Sequence, residues 1–163
     1  PPPEPAPPPA SAPALSGNLL QGVNVMRWGR GKDMRVTLKM GGVLLEQNGS
    51  AMWAGVPIPK ERQDWRGSRG LLLNVQAVDR ACAMWVELNE GSGERHVAPF
   101  RLEPGAGAQE IRIPWTTFKR RDDQFGKKPP DDGLQLDRIG YVSFWPEGAS
   151  AVSYRIHSLR LDR

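Results

Sequence analysis

Three short stretches of the sequence carry aromatic, amide and carboxylate residues at alternate positions. Residues 71–78, 84–88 and 141–145 each place aliphatic side chains on one parity, as a strand with one buried face does. The opposite parity is then the outward set, which comprises Asn74, Gln76, Trp85, Glu87, Tyr141, Ser143 and Trp145. Aromatic rings stack on the apolar face of a pyranose, while amide and carboxylate groups hydrogen-bond to its hydroxyls. Such a sheet face predicts a groove for a chain of sugars.

Three further residues are candidates for the same groove. Arg112 faces away from the core on its strand, Trp53 lies beside a small Ala-Gly pair, and Trp28 lies in a Gly-rich loop. Four candidates also have structural alternatives, which the sequence leaves open: Trp85 under a covering loop, Trp145 as a cap on the end of the barrel, Tyr141 in the core if the strand phase is reversed, and Arg112 as an ordinary solvated charge.

The strand that must organise these residues lies in the run QEIRIPWTTF, residues 109–118. Ile111 and Ile113 stand two apart, and the proline that follows ends the strand because it has no N–H to donate to a sheet. Trp115 and Phe118 are then expected to fold back over the core as an aromatic plug. The polar run after them offers nothing to bury.

The remainder of the chain favours more short strands. Residues 34–40 alternate cleanly, Asn48-Gly49 is a hairpin signal, and residues 154–161 change phase near His157-Ser158, which predicts a bulge. Gly and Pro recur every few residues, and no helix longer than two turns is indicated. The sequence therefore predicts an all-β sandwich of two antiparallel sheets.

The segment I-x-I-P, followed by an aromatic residue, two spacers and Phe, resembles a segment of galactose-binding-like jelly rolls. Asp64-Trp65-Arg66-Gly67, Asn89-Glu90-Gly91 and the run 136–145 fit the same pattern in the same order, and the resemblance covers residues 19–161. The chain is similar in this respect to family-eleven carbohydrate-binding modules and to complex I intermediate-associated protein 30 domains.

That resemblance implies a β-sandwich jelly roll that binds β-glucan-type chains, cellulose or mixed-linkage glucan, without catalysing a reaction. It implies structural roles for Trp65 and Trp115. It also implies a possible structural calcium, which the family associates with a C-terminal strand reading I-D-D-I; the corresponding stretch here is Ile156-His157-Ser158-Leu159. No other cofactor is expected, and no metal ligands are assigned.

Composition divides the chain into a spacer and one domain. Residues 1–16 are rich in proline and are interpreted as a polyproline-II linker, which leaves residues 17–163 for the β-sandwich module. Such a linker usually separates two domains, so we expect a covalently linked catalytic domain, a glycoside hydrolase, in a parent protein that is secreted or displayed on a bacterial-type cell surface.

The same composition argues against several classes of partner and activity. The single Cys82 permits no intrachain disulfide, and no apolar run is long enough to span a membrane. The net charge of +4 comes without a basic helix, which argues against nucleic acid. Two histidines and one cysteine form no recognisable catalytic triad, G-x-S-x-G is absent, and no Cys/His metal cluster is visible.

Three functions therefore remain open. The first is a module for β-glucan, or for another polysaccharide such as xylan or pectin. The second is a protein-binding or assembly domain of the intermediate-associated type, in which the same face docks a protein. The third is a hydrolase or lyase jelly roll, for which the sequence shows no set of catalytic residues.

Deleting Pro1–Ala12 is expected to leave the melting temperature unchanged within about two degrees, since this stretch has no apolar surface to bury against a core. Thermal melting followed by circular dichroism checks this. A fall of several degrees relative to the full chain would show that the linker packs on the domain.

Overall fold

The computed structural model describes residues 17–20, 26–28, 34–39, 42–47, 53–78, 80–105, 107–147 and 154–163. The predicted linker at residues 1–16 and the predicted hairpin turn at Asn48-Gly49 lie outside these ranges. Gln47, the residue before that turn, lies inside them. For residues 26–28, 34–39, 42–47 and 53, the description concerns the backbone and its pairing.

The described residues form eleven strands and two short 3₁₀ turns. The turns are Lys60–Arg62 and Trp115–Thr117. The strands are β1 (Met26–Trp28), β2 (Met34–Lys39), β3 (Gly42–Gln47), β4 (Trp53–Pro57), β5 (Gly70–Ala77), β6 (Cys82–Glu90), β7 (Arg95–Leu102), β8 (Gln109–Pro114), β9 (Lys119–Arg120), β10 (Ile139–Pro146) and β11 (Tyr154–Asp162).

These strands build two antiparallel sheets. The six-stranded sheet has the order β1-β4-β10-β6-β7-β9, and the five-stranded sheet has the order β2-β3-β11-β5-β8. The predicted all-β sandwich is therefore confirmed. The pairing also corrects one detail, because Arg27 and Trp28 belong to β1 rather than to a loop. Neither 3₁₀ turn, nor any other helix in the described ranges, has the length and apolarity needed to cross a bilayer.

The core lies between the sheets and follows the predicted alternation. Leu71, Leu73 and Val75 of β5 are fully buried, and so are the inward residues Met84, Val86 and Leu88 of β6 and Val142 and Phe144 of β10. Burying aliphatic and aromatic side chains in this way is the main favourable contribution to the free energy of folding. One parity of each strand is thus committed to the core, and the other parity is free to face outward.

The aromatic plug after β8 closes the core as expected. The rings of Trp65 and Trp115 stack at 5.8 Å, and those of Trp115 and Phe118 lie 5.6 Å apart. Trp65 is fully buried, and the indole N–H of Trp115 donates to the carbonyl of Ser68 at 3.0 Å. The structural roles predicted for both tryptophans are confirmed by this packing.

The last strand contains the predicted irregularity. The register between β11 and β5 shifts between Ile156 and Ser158, which lets Leu159 return to the core after His157. At that level the amide oxygen of Asn18 accepts hydrogen bonds from the backbone N–H groups of Leu159 and Leu20, at 3.2 and 3.1 Å. The start of the described chain is thereby fastened to its final strand.

Ile113 is 3% exposed on β8, so Ile113→Ala is expected to lower the free energy of unfolding by about 2–5 kcal/mol through the cavity that it leaves. Val78→Ala is the matched control, because Val78 is 43% exposed and is expected to change the stability by at most about 0.5 kcal/mol. Urea unfolding of both variants checks this, and equal stabilities would contradict the assigned phase of β8.

Candidate functional site

Two tryptophans stand opposite each other on the outer face of the six-stranded sheet. In the β10–β6 register, Trp145 pairs with Trp85, and in the β6–β7 register, Trp85 pairs with Pro99. Their inward neighbours Val86 and Phe144 are fully buried, whereas Trp85 and Trp145 are half-buried. The phase predicted for these strands is therefore correct.

The register extends this line toward the other edge of the sheet. Ser143 pairs with Gly55 of β4, so the position of Trp53, two residues earlier, belongs to the same face and the same level as Trp145. Trp28 of β1 in turn pairs with Trp53. Four neighbouring strands thus each bring one tryptophan position to a single cross-strand row, which we call the Trp row: positions 28, 53, 145 and 85.

A depression of about 710 Å³ lies over the Trp85 end of the row. The sheet contributes Trp145, Trp85, Val97 and Pro99 to its walls, and the chain after β8 contributes the rest. That second wall consists of Thr116, Thr117 and the run 119–123, so apolar rings face a rim of hydroxyl and charged groups.

Glu87 does not lie open on this face, contrary to the prediction. Its side chain is 6% exposed, and both of its oxygens face guanidinium groups. Oε1 accepts a hydrogen bond from Arg121 at 2.9 Å, and Oε2 lies 3.7 Å from Arg95. A buried carboxylate needs such partners to offset its lost hydration. Glu87 therefore organises the site from beneath instead of presenting an acceptor to a ligand.

The loop after β9 supplies the cover over Glu87. Arg121 lies over the rings of both Phe125 and Trp145, at 4.5 and 5.0 Å from their centroids, and Arg95 lies 4.2 Å from the centroid of Phe125. Phe125, which is 50% exposed, holds a positive φ of 57°. A guanidinium group over an aromatic face is attracted by the quadrupole of the ring. These side chains therefore stack on one another at the edge of the depression.

Gln124 fastens this loop to β7. Its side chain accepts a hydrogen bond from the N–H of Arg95 at 2.9 Å and donates to the carbonyls of Arg95 and Arg121 at 3.1 and 2.7 Å. Gln124 is 7% exposed, so the polar run after Phe118 does bury a side chain, which corrects the sequence-based expectation. The sequence pattern did not identify Gln124, Arg121 or Phe125 as residues that shape this site.

Tyr141 lies on the outer face of β10, opposite Asn89 of β6. It is half-buried, and burial raises the pKa of its hydroxyl. Ser143, between Tyr141 and Trp145 on that face, is 7% exposed. Ser143 is therefore largely covered, and the open part of the described face is the depression beside Trp85 and Trp145 with its rim.

Three predicted site residues lie elsewhere. Asn74 and Gln76 do face outward as expected, but on β5 of the five-stranded sheet, so they cannot share a groove with the tryptophans. Gln76 lies 3.4 Å from His157 through its Oε1 atom. Arg112 is on the same five-stranded sheet, where it donates to Asp162 at 2.8 Å. Alternation assigned the face of each residue correctly but could not identify the sheet.

The stretch at which the sequence resemblance implies a calcium offers no carboxylate, and the calcium stays a prediction. Ile156 and Leu159 are core residues, and His157 and Ser158 between them provide no carboxylate. Hard cations such as calcium prefer several oxygen ligands. Within the described ranges, the group of residues able to hold a metal ion is instead Glu90, Glu94 and His96, which the sequence did not reveal.

Solved carbohydrate-binding modules share this fold. A solution structure of CtCBM11 matches with a TM-score of 0.69 and 22% sequence identity, over 90% of this chain and 92% of that one. A family 11 carbohydrate-binding module from Clostridium thermocellum, solved in complex with a β-1,3-1,4-mixed-linked tetrasaccharide, matches with a TM-score of 0.63 and 18% identity, over 87% of this chain and 84% of that one. The predicted likeness to family-eleven modules is confirmed at the level of the fold.

A similar fold also forms part of a larger enzyme. The agarase AgWH50C matches with a TM-score of 0.59 and 12% identity, over 85% of this chain but 22% of the agarase. No protein-family model and no curated protein matches the sequence. The likeness to intermediate-associated protein 30 domains stays a prediction.

Arg121→Ala is expected to lower the free energy of unfolding by about 1–3 kcal/mol, because it removes a charged donor from the buried Glu87. Arg101→Ala is the matched control: Arg101 pairs with Glu103 at 2.8 Å, but the two side chains are 65% and 62% exposed. An exposed pair contributes at most about 1 kcal/mol. Urea unfolding checks both, and equal losses would show that Arg121 has no special role.

Proposed function

We propose that this chain is a non-catalytic module that binds a polysaccharide along the Trp row. The observation that carries the proposal is the direct pairing of Trp145 with Trp85, continued in register by positions 53 and 28. Strands lie about 4.8 Å apart, so four successive strands extend the row over roughly 14 Å. A row of that length suits several sugar units of one chain.

The rim of the depression supplies what a sugar needs besides stacking. Thr116 and Thr117 carry hydroxyl groups, Asp122 and Asp123 carry carboxylates, and Lys119 carries an ammonium group, and all five residues are exposed. Hydrogen bonds from such groups to sugar hydroxyls orient the chain, while the rings provide contact area. Glu87, Asn74, Gln76 and Arg112 have no part in this binding mode.

The ligand class that we propose is a β-glucan, and in particular a mixed-linkage chain. Support comes from the shared fold of the Clostridium thermocellum module, which was solved with a β-1,3-1,4-mixed-linked tetrasaccharide. Cellulose, xylan and pectin are the comparison ligands.

We further propose that the module directs an attached glycoside hydrolase to its substrate outside the cell. The proline-rich residues 1–16 suit a stiff spacer between two domains. Tethering a binding module to an enzyme raises the enzyme's effective concentration at an insoluble polymer. The agarase that matches over 22% of its length is an example of a similar fold within a larger enzyme.

Trp85→Ala is expected to weaken binding of a mixed-linkage tetrasaccharide about tenfold or more, since a stacked ring contributes about 1–2 kcal/mol of buried apolar contact. Gln76→Ala is the matched control, because Gln76 faces outward on the opposite sheet and is expected to bind normally. Isothermal titration calorimetry measures both, and thermal melting verifies that each variant is folded.

Binding to different polymers distinguishes a polysaccharide ligand from a protein partner. Affinity electrophoresis of the unmodified chain in gels containing glucan, xylan or pectin identifies the polymer. Retardation in none of these gels would overturn a polysaccharide ligand and favour the protein-docking alternative. Full binding by Trp85→Ala, with a lower melting temperature, would make that tryptophan structural and remove the Trp row as the site.

A further inference from the structure

The hairpin between β6 and β7 gathers three titratable side chains on the core side of the six-stranded sheet. His96 pairs with the buried Leu88, so it shares the inward face. Glu90 follows Leu88 by two positions and Glu94 precedes His96 by two, which turns both inward as well. Glu90, Glu94 and His96 are 5%, 0% and 4% exposed, and one ligand atom from each lies within 4.8 Å of the others.

Each carboxylate in this cluster has one oxygen held by the protein and one spare. Oε1 of Glu90 accepts a hydrogen bond from the N–H of Gln135 at 2.6 Å, and Oε1 of Glu94 accepts one from Arg120 at 3.1 Å. The second oxygens of both glutamates, and Nδ1 of His96, are buried without a hydrogen-bond partner. Three orphaned polar atoms in one buried cluster are costly unless something binds them.

The imidazole of His96 is placed like one that binds a metal ion through one ring nitrogen and meets a carboxylate through the other. Nε2 of His96 lies 3.5 Å from Oε1 of Glu94, the oxygen that Arg120 already holds. Nδ1 lies 3.3 Å from Oε1 of Glu90. Ligand atoms about 2.1 Å from a tetrahedral metal lie about 3.4 Å apart, so the carboxylate of Glu90 is within reach of an ion bound to Nδ1. Ligating histidines commonly direct their other ring nitrogen to a carboxylate.

The charge around the cluster favours a dication. Asp132, an exposed residue on the loop that covers the hairpin, faces Glu94 as a third carboxylate. The guanidinium of Arg120 holds Glu94 at 3.1 Å and also lies 3.7 Å from the exposed Asp131. The two buried glutamates therefore carry more negative charge than the single guanidinium of Arg120 balances.

We propose that Glu90, Glu94 and His96 form a site for a divalent transition metal ion, with Zn²⁺ as the ion of choice. A nitrogen ligand among carboxylates suits zinc better than calcium, which prefers oxygen alone. The ion would take the three orphaned atoms as its ligands and tie the β6–β7 hairpin together. This site is distinct from the Trp row, and the proposal is independent of the proposed carbohydrate function.

The competing arrangement is a protonated imidazole shared between the two glutamates. That arrangement would use both ring nitrogens as hydrogen-bond donors, yet Nδ1 has no partner with hydrogen-bond geometry, and both spare carboxylate oxygens would stay unsatisfied. A bound ion accounts for all three atoms at once. Titration with metal distinguishes the two.

The test uses the full chain, stripped with a chelator and free of affinity tags, with Zn²⁺ alone as the probe. Calorimetry is expected to show one ion per chain, and Zn²⁺ at about 100 times its Kd is expected to raise the melting temperature by roughly 5–10 °C. Calcium at the same concentration is expected to give a much smaller shift. His96→Gln is expected to weaken Zn²⁺ binding at least tenfold, whereas His157→Gln, at the other histidine, is expected to bind normally.

A second measurement keeps the proposal testable if His96→Gln fails to fold. The sequence has two histidines, so His157→Gln leaves His96 as the single imidazole. In that variant, stoichiometric Zn²⁺ is expected to shift the side-chain ¹⁵N resonances of His96. Absence of Zn²⁺ binding to the unmodified chain, unshifted His96 resonances, undiminished binding by His96→Gln, or calcium binding more tightly than zinc would each overturn the proposal.

Discussion

The pairing of β10 with β6 determines what every side chain in the middle of the six-stranded sheet can do. Val142 and Phe144 meet Leu88 and Val86 on the inner side, and these contacts bury enough apolar surface to hold the register. The same register sets Trp145 opposite Trp85 on the outer side. A slip by one residue would send Trp145 into the core and Val142 and Phe144 to solvent, so the core and the outer tryptophan pair depend on a single alignment.

The buried carboxylate of Glu87 holds in place the side chains that cover part of the outer face. It draws Arg121 and Arg95 toward the sheet, and Phe125 is held between their guanidinium groups. The loop after β9, which contributes Arg121 and Phe125, also carries part of one wall of the depression. A polar contact beneath the surface thus fixes the position of an aromatic and charged rim above it.

Alternation along the chain was sufficient to predict the sheets, the core face of β5, β6 and β10, the aromatic plug and the bulge in β11. It could not tell that Asn74 and Gln76 lie on the other sheet from Trp85, because a two-residue period reports the face of a strand and not its neighbours. It could not expose the partners of Glu87 or the Glu90–Glu94–His96 cluster either. The hydrogen bonds from Arg121 to Glu87 and from Arg120 to Glu94 span 34 and 26 positions, and spacing in sequence carries no record of them.

The six-stranded sheet ends at β9, a strand of two residues, Lys119 and Arg120. The five-stranded sheet ends on the same side at β8, whose exposed residues include Glu110 and Arg112 and whose last residue is a proline. An open edge of a sheet invites another chain to add a strand, and short length, charge and proline all oppose that addition. These two edges therefore oppose the addition of a strand from another copy of the chain, and so disfavour self-association and amyloid-like stacking even where many copies are close together.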